Sequence, residues 1–241
     1  MLKVQELRGE LDIVIVAAPK VPSDLLLRRV DEIWQREKAA RGDQLTNSAI
    51  FAVTRCDARR LEGHFVEYKW FLAQLRDAEL FADLDIHCLA VSGLVETDAG
   101  FVFGLRNTAT SQDQGRWELV PSGGIDRSSE TEDGRVSYQR QLIIELQEEL
   151  GLAASEIAPP EPFLLIEDSE THVIDIGQHV RSLVPGKALL QSFETRTNQE
   201  YDKLILVPQP ALSTFLAEQG ERVVAVSRAL LRSHCEVVPH G

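Results

Sequence analysis

Residues 145–152 of this chain read Glu145-Leu146-Gln147-Glu148-Glu149-Leu150-Gly151-Leu152. Apolar side chains recur at helical spacing through this stretch and before it, and Gly151 is a typical helix stop, so we expect a helix over residues 132–150. Glu145, Glu148 and Glu149 would share one face of that helix, with neighbouring side chains about 5–6 Å apart. Carboxylates this close repel one another. The pattern therefore predicts either a solvated acidic surface or a site for a hard divalent cation.

A short strand and a glycine turn precede this helix, because residues 117–126 read WELVPSGGID. Together with LIIELQEELGL at residues 142–152, this block resembles the Nudix box, G-x5-E-x7-R-E-U-x-E-E-x-G-U, in which U is aliphatic. The last positions of the box are matched in register by Glu145, Leu146, Glu148, Glu149, Gly151 and Leu152. The resemblance implies a Nudix hydrolase.

In the Nudix family the glycine turn exposes backbone to the metal and to phosphates, the paired glutamates bind Mg²⁺, and the glutamate before them is a ligand or a base. The resemblance therefore implies that Glu145, Glu148 and Glu149 are catalytic residues and metal ligands, with the backbone of Gly123 beside them. Mg²⁺ is the implied cofactor, and Mn²⁺ could replace it.

The box departs from the family pattern at the position before the catalytic glutamate. The family has an arginine there, which orients the catalytic machinery, and this chain has Ile144. Arg140 lies one helical turn earlier and is a candidate to replace the missing guanidinium as a substrate-binding residue. The alternative is an ordinary exposed helix arginine.

The first half of the box can be aligned in two registers. Counting from Gly124 places Glu130 at the box glutamate, but residues 131–144 then separate Glu130 from Glu145, six more than the pattern leaves. The inserted residues fall in the hydrophilic stretch 131–137. Counting from Gly123 instead places a serine at the glutamate position, so the sequence leaves both registers open.

The resemblance extends over residues 84–232, which follow the element order of a Nudix domain. Arg106 lies where many family members have a phosphate-contacting arginine, and with Gly124 and Arg140 it forms the expected substrate-binding set. Its alternative is a charge at a strand end. Glu200, just before the strand DKLILV, resembles the glutamate that completes the metal site from outside the box. Its alternative is a loop carboxylate.

The remaining patterns predict an α+β fold, with a Nudix-type mixed β-sheet sandwiched between helices. Two parts are expected along the chain: an N-terminal α/β extension over residues 1–80 and a Nudix domain over residues 81–241. The extension is expected to contain a strand at 12–17, a helix from the Pro22-Ser23-Asp24 cap to Gly42, strands at 49–54 and 61–67, and a helix at 68–76. Its runs LTNSAIFAV and GHFVEYKWFLAQ are loosely similar to the UDP-sugar pyrophosphatase branch of the family.

Composition excludes several classes of protein. Lys and Arg number 25 and Asp and Glu 38, a net charge of −13. Such a chain is a poor partner for nucleic acid or anionic membrane, and a phosphate ligand would need a local cation. No apolar run approaches the ~20 residues of a membrane span. Three dispersed cysteines indicate reduced thiols and a cytoplasmic protein, and the six histidines show no sequential zinc motif.

These observations lead to one functional hypothesis and one alternative. The first is Mg²⁺-dependent hydrolysis of a nucleoside diphosphate linked to another moiety, most plausibly a nucleotide sugar such as a UDP-sugar, to a nucleoside monophosphate and a phosphorylated moiety. The alternative, motivated by Ile144 and the lengthened box, is a catalytically impaired Nudix fold that binds nucleotide as a regulatory module. In either case the partner is a small-molecule nucleotide, and the long N-terminal helix could pair two subunits in a homodimer.

Overall fold

The computed structural model describes residues 1–18, 22–42, 45–57, 59–108, 110, 112–195 and 200–237. The strands are β1 (Leu2–Glu6), β2 (Asp12–Ile15), β3 (Ala49–Cys56), β4 (Arg60–Glu67), β5 (His87–Thr97), β6 (Gly100–Arg106), β7 (Trp117–Leu119), β8 (Ser122–Gly124), β9 (Glu161–Asp168), β10 (Val173–Arg181) and β11 (Tyr201–Val207). The helices are α1 (Asp24–Arg41), α2 (Tyr68–Arg76), α3 (Phe81–Leu84), α4 (Tyr138–Glu145), α5 (Gly186–Glu194), α6 (Leu212–Gln219) and α7 (Ala225–Val237).

The strands join into one mixed sheet. Its main path runs β1-β9-β10-β5-β3-β4-β2, while β6 pairs with β5, β7 and β11, and β8 pairs with β5. β10 runs parallel to β5 and β2 runs parallel to β4, and the other pairs are antiparallel. The predicted α+β class with a mixed sheet is confirmed. The N-terminal strands continue this sheet through β3, whose Ala52 and Val53 pair with Cys88 and His87 of β5.

Helices cover both faces of the sheet because alternate residues of the central strands are apolar on both sides. Leu89, Val91 and Val95 of β5 pack in a core with residues of α4 and α5. Leu94, on the opposite face of β5, packs with residues of α6 and α7. This alternation is the period-2 pattern of a strand buried on both faces. Among the described helices, none combines the length and the apolar character that crossing a bilayer requires.

Two helices of the N-terminal segment follow their sequence signals closely. The Ser23 hydroxyl accepts a hydrogen bond from the Leu26 amide at 3.3 Å and caps α1, and the helix ends at Gly42, whose φ is +60°. Glycine adopts this left-handed conformation without steric cost. α2 has the predicted bounds, 68–76.

The helix predicted over residues 132–150 is shorter and changes character at its end. It begins at Tyr138, because the amide of Thr131 donates to the carbonyl of Arg135 at 2.9 Å and closes a turn before it. The Ser137 hydroxyl then caps α4. After Glu145 the chain continues as a π-type turn, Leu146–Leu150. The residues inserted into the box therefore form a turn. Glu145 ends the α-helix, and Glu148 and Glu149 lie in the π-type turn after it.

The inserted turn contacts the N-terminal segment. The amide of Ile15 donates to the carbonyl of Gly134 at 3.1 Å, and the amide of Val136 donates to the carbonyl of Ile13 at 3.0 Å. The side chain of Arg135 forms an ion pair with Asp12. Residues 134–136 of the insertion therefore pair with the backbone of β2. The division at residue 80 stays a prediction.

Packing of α7 on the sheet can be tested with Leu230→Ala. Leu230 is fully buried and covers Gly177 of β10, where a Cβ would lie 2.1 Å from the leucine Cδ2. Removing the side chain leaves a cavity, so we expect the free energy of unfolding in urea to fall by about 2–5 kcal/mol. Leu25→Ala, at a leucine that is 79% exposed on α1, should change it by less than about 0.5 kcal/mol. Equal effects at the two leucines would contradict this packing.

Candidate active site

The carboxylate of Glu145 lies directly against the glycine strand β8. A Cβ built on Gly123 would be 2.2 Å from Glu145 Oε1 and 2.7 Å from Oε2, whereas a Cβ on Gly124 would meet nothing within 4 Å. Only glycine at position 123 therefore leaves room for this carboxylate. The close approach places Gly123, and not Gly124, against Glu145, and the register of the box stays a prediction.

The other two box glutamates, Glu148 and Glu149, lie in the π-type turn and differ in exposure. Glu149 is buried, only 4% exposed, and the Ser122 amide is close enough to favour its ionised form. Glu148 is exposed. Burial raises the pKa of Glu149 well above its usual value, and repulsion from Glu200, Glu145 and Glu118 adds to this. The three carboxylates of the predicted face thus differ in exposure, since Glu149 is buried, Glu145 is half-buried and Glu148 is exposed.

Gln141 forms a hydrogen bond with Glu145. Gln141 is buried one turn before Glu145, and its Nε2 donates to Glu145 Oε1 at 2.8 Å. Its Oε1 accepts from the Asp126 amide at 3.2 Å, so the amide group joins α4 to the end of the glycine turn. Burial raises the pKa of Glu145 to about 7, against the lowering effect of the Gln141 hydrogen bond.

A second buried acid, Glu118 of β7, lies near Glu149. Arg106 forms an ion pair with Glu118, and the Tyr201 hydroxyl donates to the same carboxylate at 3.0 Å. The Nε of Arg106 also donates to the carbonyl of Gln112 at 3.2 Å. The arginine predicted to contact phosphate is therefore held at the end of β6 by a buried carboxylate, with its charge next to the glutamates.

The remaining predicted residues lie around this centre. Glu200 is exposed just before β11, and it is close enough to raise the pKa values of Glu145 and Glu149. Gly124 ends β8 and is exposed. Arg140 is exposed in the first turn of α4, and in the described part of the chain no hydrogen bond or ion pair joins its guanidinium to the glutamates. The structure brings the glutamates, Gly123 and Arg106 together and leaves Arg140 outside.

A cleft of about 1300 Å³ opens beside the glycine strand. Its walls come from β1, from the residues around β3 and α2, from the sheet face of β5, β8 and β10, and from α7. Its lining includes Ser122, Gly123 and Gly124, the buried Glu118, and five arginines: Arg41, Arg106, Arg116, Arg228 and Arg232. The lining also includes eight acidic residues, and Arg106, Arg116 and Arg228 form ion pairs with three of them, so an anionic ligand would need a local cation here.

Asp175 of β10 is a buried carboxylate in the wall of the cleft. It is 4% exposed, the Ser92 hydroxyl hydrogen-bonds to it, and its Oδ1 has no hydrogen-bond partner among the described residues. Burial raises its pKa to about 7, and repulsion from Glu118 contributes. A half-satisfied buried carboxyl group at a cleft wall is suited to bind a polar ligand group.

Sequence reasoning missed three of these residues. For Gln141 the available signal is its position four residues before Glu145, because residues at this spacing share one helical face. Glu118 alternates with Trp117 and Leu119, a pattern that predicts a solvent-facing side chain. Asp175 interrupts the apolar run VIDIG, and that interruption could have marked it.

The chain matches no protein-family model and no curated protein. Solved structures with a similar fold include a Nudix hydrolase from Nitrosomonas europaea, with 13% identity, a TM-score of 0.44, and coverage of 80% of this chain and 89% of that one. A MutT Nudix hydrolase from Burkholderia pseudomallei has 15% identity and a TM-score of 0.38, covering 60% and 95%. A bifunctional NMN adenylyltransferase/ADP ribose pyrophosphatase from Francisella tularensis has 12% identity and a TM-score of 0.45, covering 69% and 45%. Two of these names include the family that the box residues resemble.

The buried Asp175 predicts a pH dependence of stability. Its pKa of about 7 in the fold lies above the ordinary value of 3.8, so the folded state keeps a proton that the unfolded chain loses. The stability contributed by this group is complete at low pH and is lost as the pH rises through about 7. We expect Asp175→Asn to remove this loss and to be more stable than the wild type at pH ~8 in urea unfolding.

The surface variant Asp83→Asn serves as the control and should follow the wild-type curve within about 0.5 kcal/mol. Parallel curves for Asp175→Asn and the wild type between acid and neutral pH would contradict the burial of a protonated Asp175.

Proposed function

We propose that this chain is a Nudix-type hydrolase that cleaves the diphosphate bond of a nucleoside diphosphate linked to another moiety. A nucleotide sugar such as a UDP-sugar is the proposed substrate class, and a nucleoside monophosphate and a phosphorylated moiety are the products. The observation that carries the proposal is the close approach of Glu145 to Gly123, with the buried Glu149 near Glu145, beside a cleft that Ser122, Gly123 and Gly124 line.

The residues present fit a divalent cation. Glu149 is almost fully buried beside other carboxylates that raise its pKa. A buried carboxylate among like charges is unfavourable without a compensating positive charge. Glu145, Glu148, Glu149 and Glu200, with the backbone of Gly123, would hold Mg²⁺ or Mn²⁺. When bound, the ion would neutralise the diphosphate and lower the pKa of a bound water.

The side chains of this chain then perform the remaining functions. Gln141 occupies Glu145 Oε1 at 2.8 Å and leaves Oε2 to take a proton from the attacking water. Where Glu145 acts as this base, Glu148, Glu149 and Glu200 are the side chains left to hold the cation. Gln141 also joins α4 to Asp126, two residues after β8, and so keeps this carboxylate in place.

We infer a diphosphate with groups on both sides from the side chains that line the cleft. Arg106 lies beside Glu118 and Glu200, and Arg228 and Arg232 of α7 line the same cleft. Guanidinium groups bind phosphate oxygens in pairs of hydrogen bonds. Tyr68 and Phe71 of α2 line the cleft as well and offer aromatic surface to a base or sugar.

The second candidate is a Nudix fold that binds nucleotide without cleaving it. Ile144 in place of the box arginine favours it, because that arginine orients the catalytic groups in the family. In this chain Gln141 supplies an orienting contact to Glu145, which is the reason that hydrolysis is the leading proposal.

Incubation with a panel of nucleoside diphosphate derivatives, including UDP-sugars and ADP-ribose, tests both candidates, with products identified by mass. We expect release of nucleoside monophosphate that requires Mg²⁺ or Mn²⁺. Glu149→Gln removes a charge that holds the cation and should lower this rate at least ~100-fold. Glu132→Gln, at an exposed glutamate of the inserted turn, should retain the wild-type rate.

Unchanged turnover in Glu149→Gln would overturn the proposed mechanism. A thermal shift of the wild type by a nucleotide, without any product, would favour the binding module.

A further inference from the structure

Three side chains that are far apart in the sequence converge at one point outside the candidate active site. They are Glu96 near the end of β5, His179 of β10 and His234 of α7, and each offers one ligand atom within 4.8 Å of the other two. His179 Nε2 lies 2.9 Å from Glu96 Oε2. The rings of His179 and His234 have their centroids 4.8 Å apart.

The sheet register brings the first two together. β10 and β5 are parallel neighbours, with His179 opposite Leu94 and Arg181 opposite Glu96. His179 and Glu96 are thus diagonal neighbours whose side chains lie on the same face. α7 crosses this face with Leu230 over Gly177, and His234 follows one turn later, over His179.

The ligand set and its surroundings are those of a transition-metal site. Two imidazoles and a carboxylate form the ligand set of many three-residue zinc sites, which leave a fourth position open. All three side chains are half-buried, and the rings of Phe101 and Phe163 lie 5.5 and 6.5 Å from the His234 ring.

The group is separate from the glutamates of the box. Within β10, His179 follows Asp175 of the cleft wall by four residues, which is about 13 Å along a strand. Box glutamates offer only oxygen ligands, which suit Mg²⁺, whereas imidazole nitrogen selects softer ions such as Zn²⁺. The two sites therefore differ in both position and metal preference.

We propose that Glu96, His179 and His234 bind one Zn²⁺ ion that ties α7 to the sheet. α7 carries Arg228 and Arg232 into the cleft, so the ion fixes the position of one cleft wall. The ion would support that wall of the cleft, and a water molecule would fill its fourth coordination position.

The test uses the full-length chain after removal of metal by EDTA and dialysis. Zn²⁺ is titrated in competition with a chromophoric chelator, and Co²⁺ replaces it for an absorption spectrum. We expect one tight Zn²⁺ per chain, an increase in thermal stability on binding, and cobalt bands of a low-coordinate site with nitrogen ligands. His234→Asn and, separately, Glu96→Gln should weaken Zn²⁺ binding at least 10-fold.

Two controls separate this site from other sources of zinc binding. His172→Asn removes a histidine from the ring cluster of Phe81, His87 and His172, and asparagine tolerates the positive φ of 58° there. Glu149→Gln disables the box instead. Both controls should keep the tight Zn²⁺ and the cobalt bands.

The proposal is overturned if the wild type binds no Zn²⁺ tightly, or if His234→Asn and Glu96→Gln bind it as the wild type does. It is also overturned if binding disappears in Glu149→Gln, because the ion would then belong to the box. Glu96→Gln keeps the hydrogen bond to His179, so it reports on the metal even where His234→Asn disturbs α7.

Discussion

The burial of negative charge at the end of α4 is the constraint on which the rest of the site depends. Glu149 is almost fully buried, and Glu145 and Glu118 lie near enough to raise its pKa further. Taking a carboxylate out of water costs several kcal/mol unless hydrogen bonds or a positive charge compensate for it. The chain supplies the Ser122 amide to Glu149, Gln141 to Glu145, and Arg106 to Glu118. A cation would compensate for the remaining charge.

The surrounding architecture follows from this constraint. A carboxylate can approach β8 only where the strand has no side chain, which is why glycine is required at position 123. β8 in turn is held in the sheet by β5, and β5 is the strand through which the N-terminal strands and β10 are joined. The cleft therefore has walls from both ends of the chain. Part of the net charge of −13 is concentrated in the carboxylates at the end of α4. These are suited to bind a divalent cation.

Most elements could be predicted from the sequence because they carry strong local signals, such as the Ser23 cap of α1 and the long apolar run of β5. The strand β1 was missed, since four of its five residues are exposed and only its pairing with β9 makes it a strand. The box glutamates were found by spacing, but the π-type turn that buries Glu149 and exposes Glu148 depends on packing. The histidine cluster could not be found, because its members meet only in the folded chain.

We expect the carboxylates of the box and the glycine strand to form one divalent-cation site. Paramagnetic broadening by Mn²⁺ tests it most directly, with the amide signals of the full-length chain followed as small amounts of the ion are added. We expect the signals of Ser122, Gly123 and residues 145–149 to broaden first and excess Mg²⁺ to restore them. Mn²⁺ binding that leaves these signals unchanged, with broadening elsewhere in the chain, would contradict it.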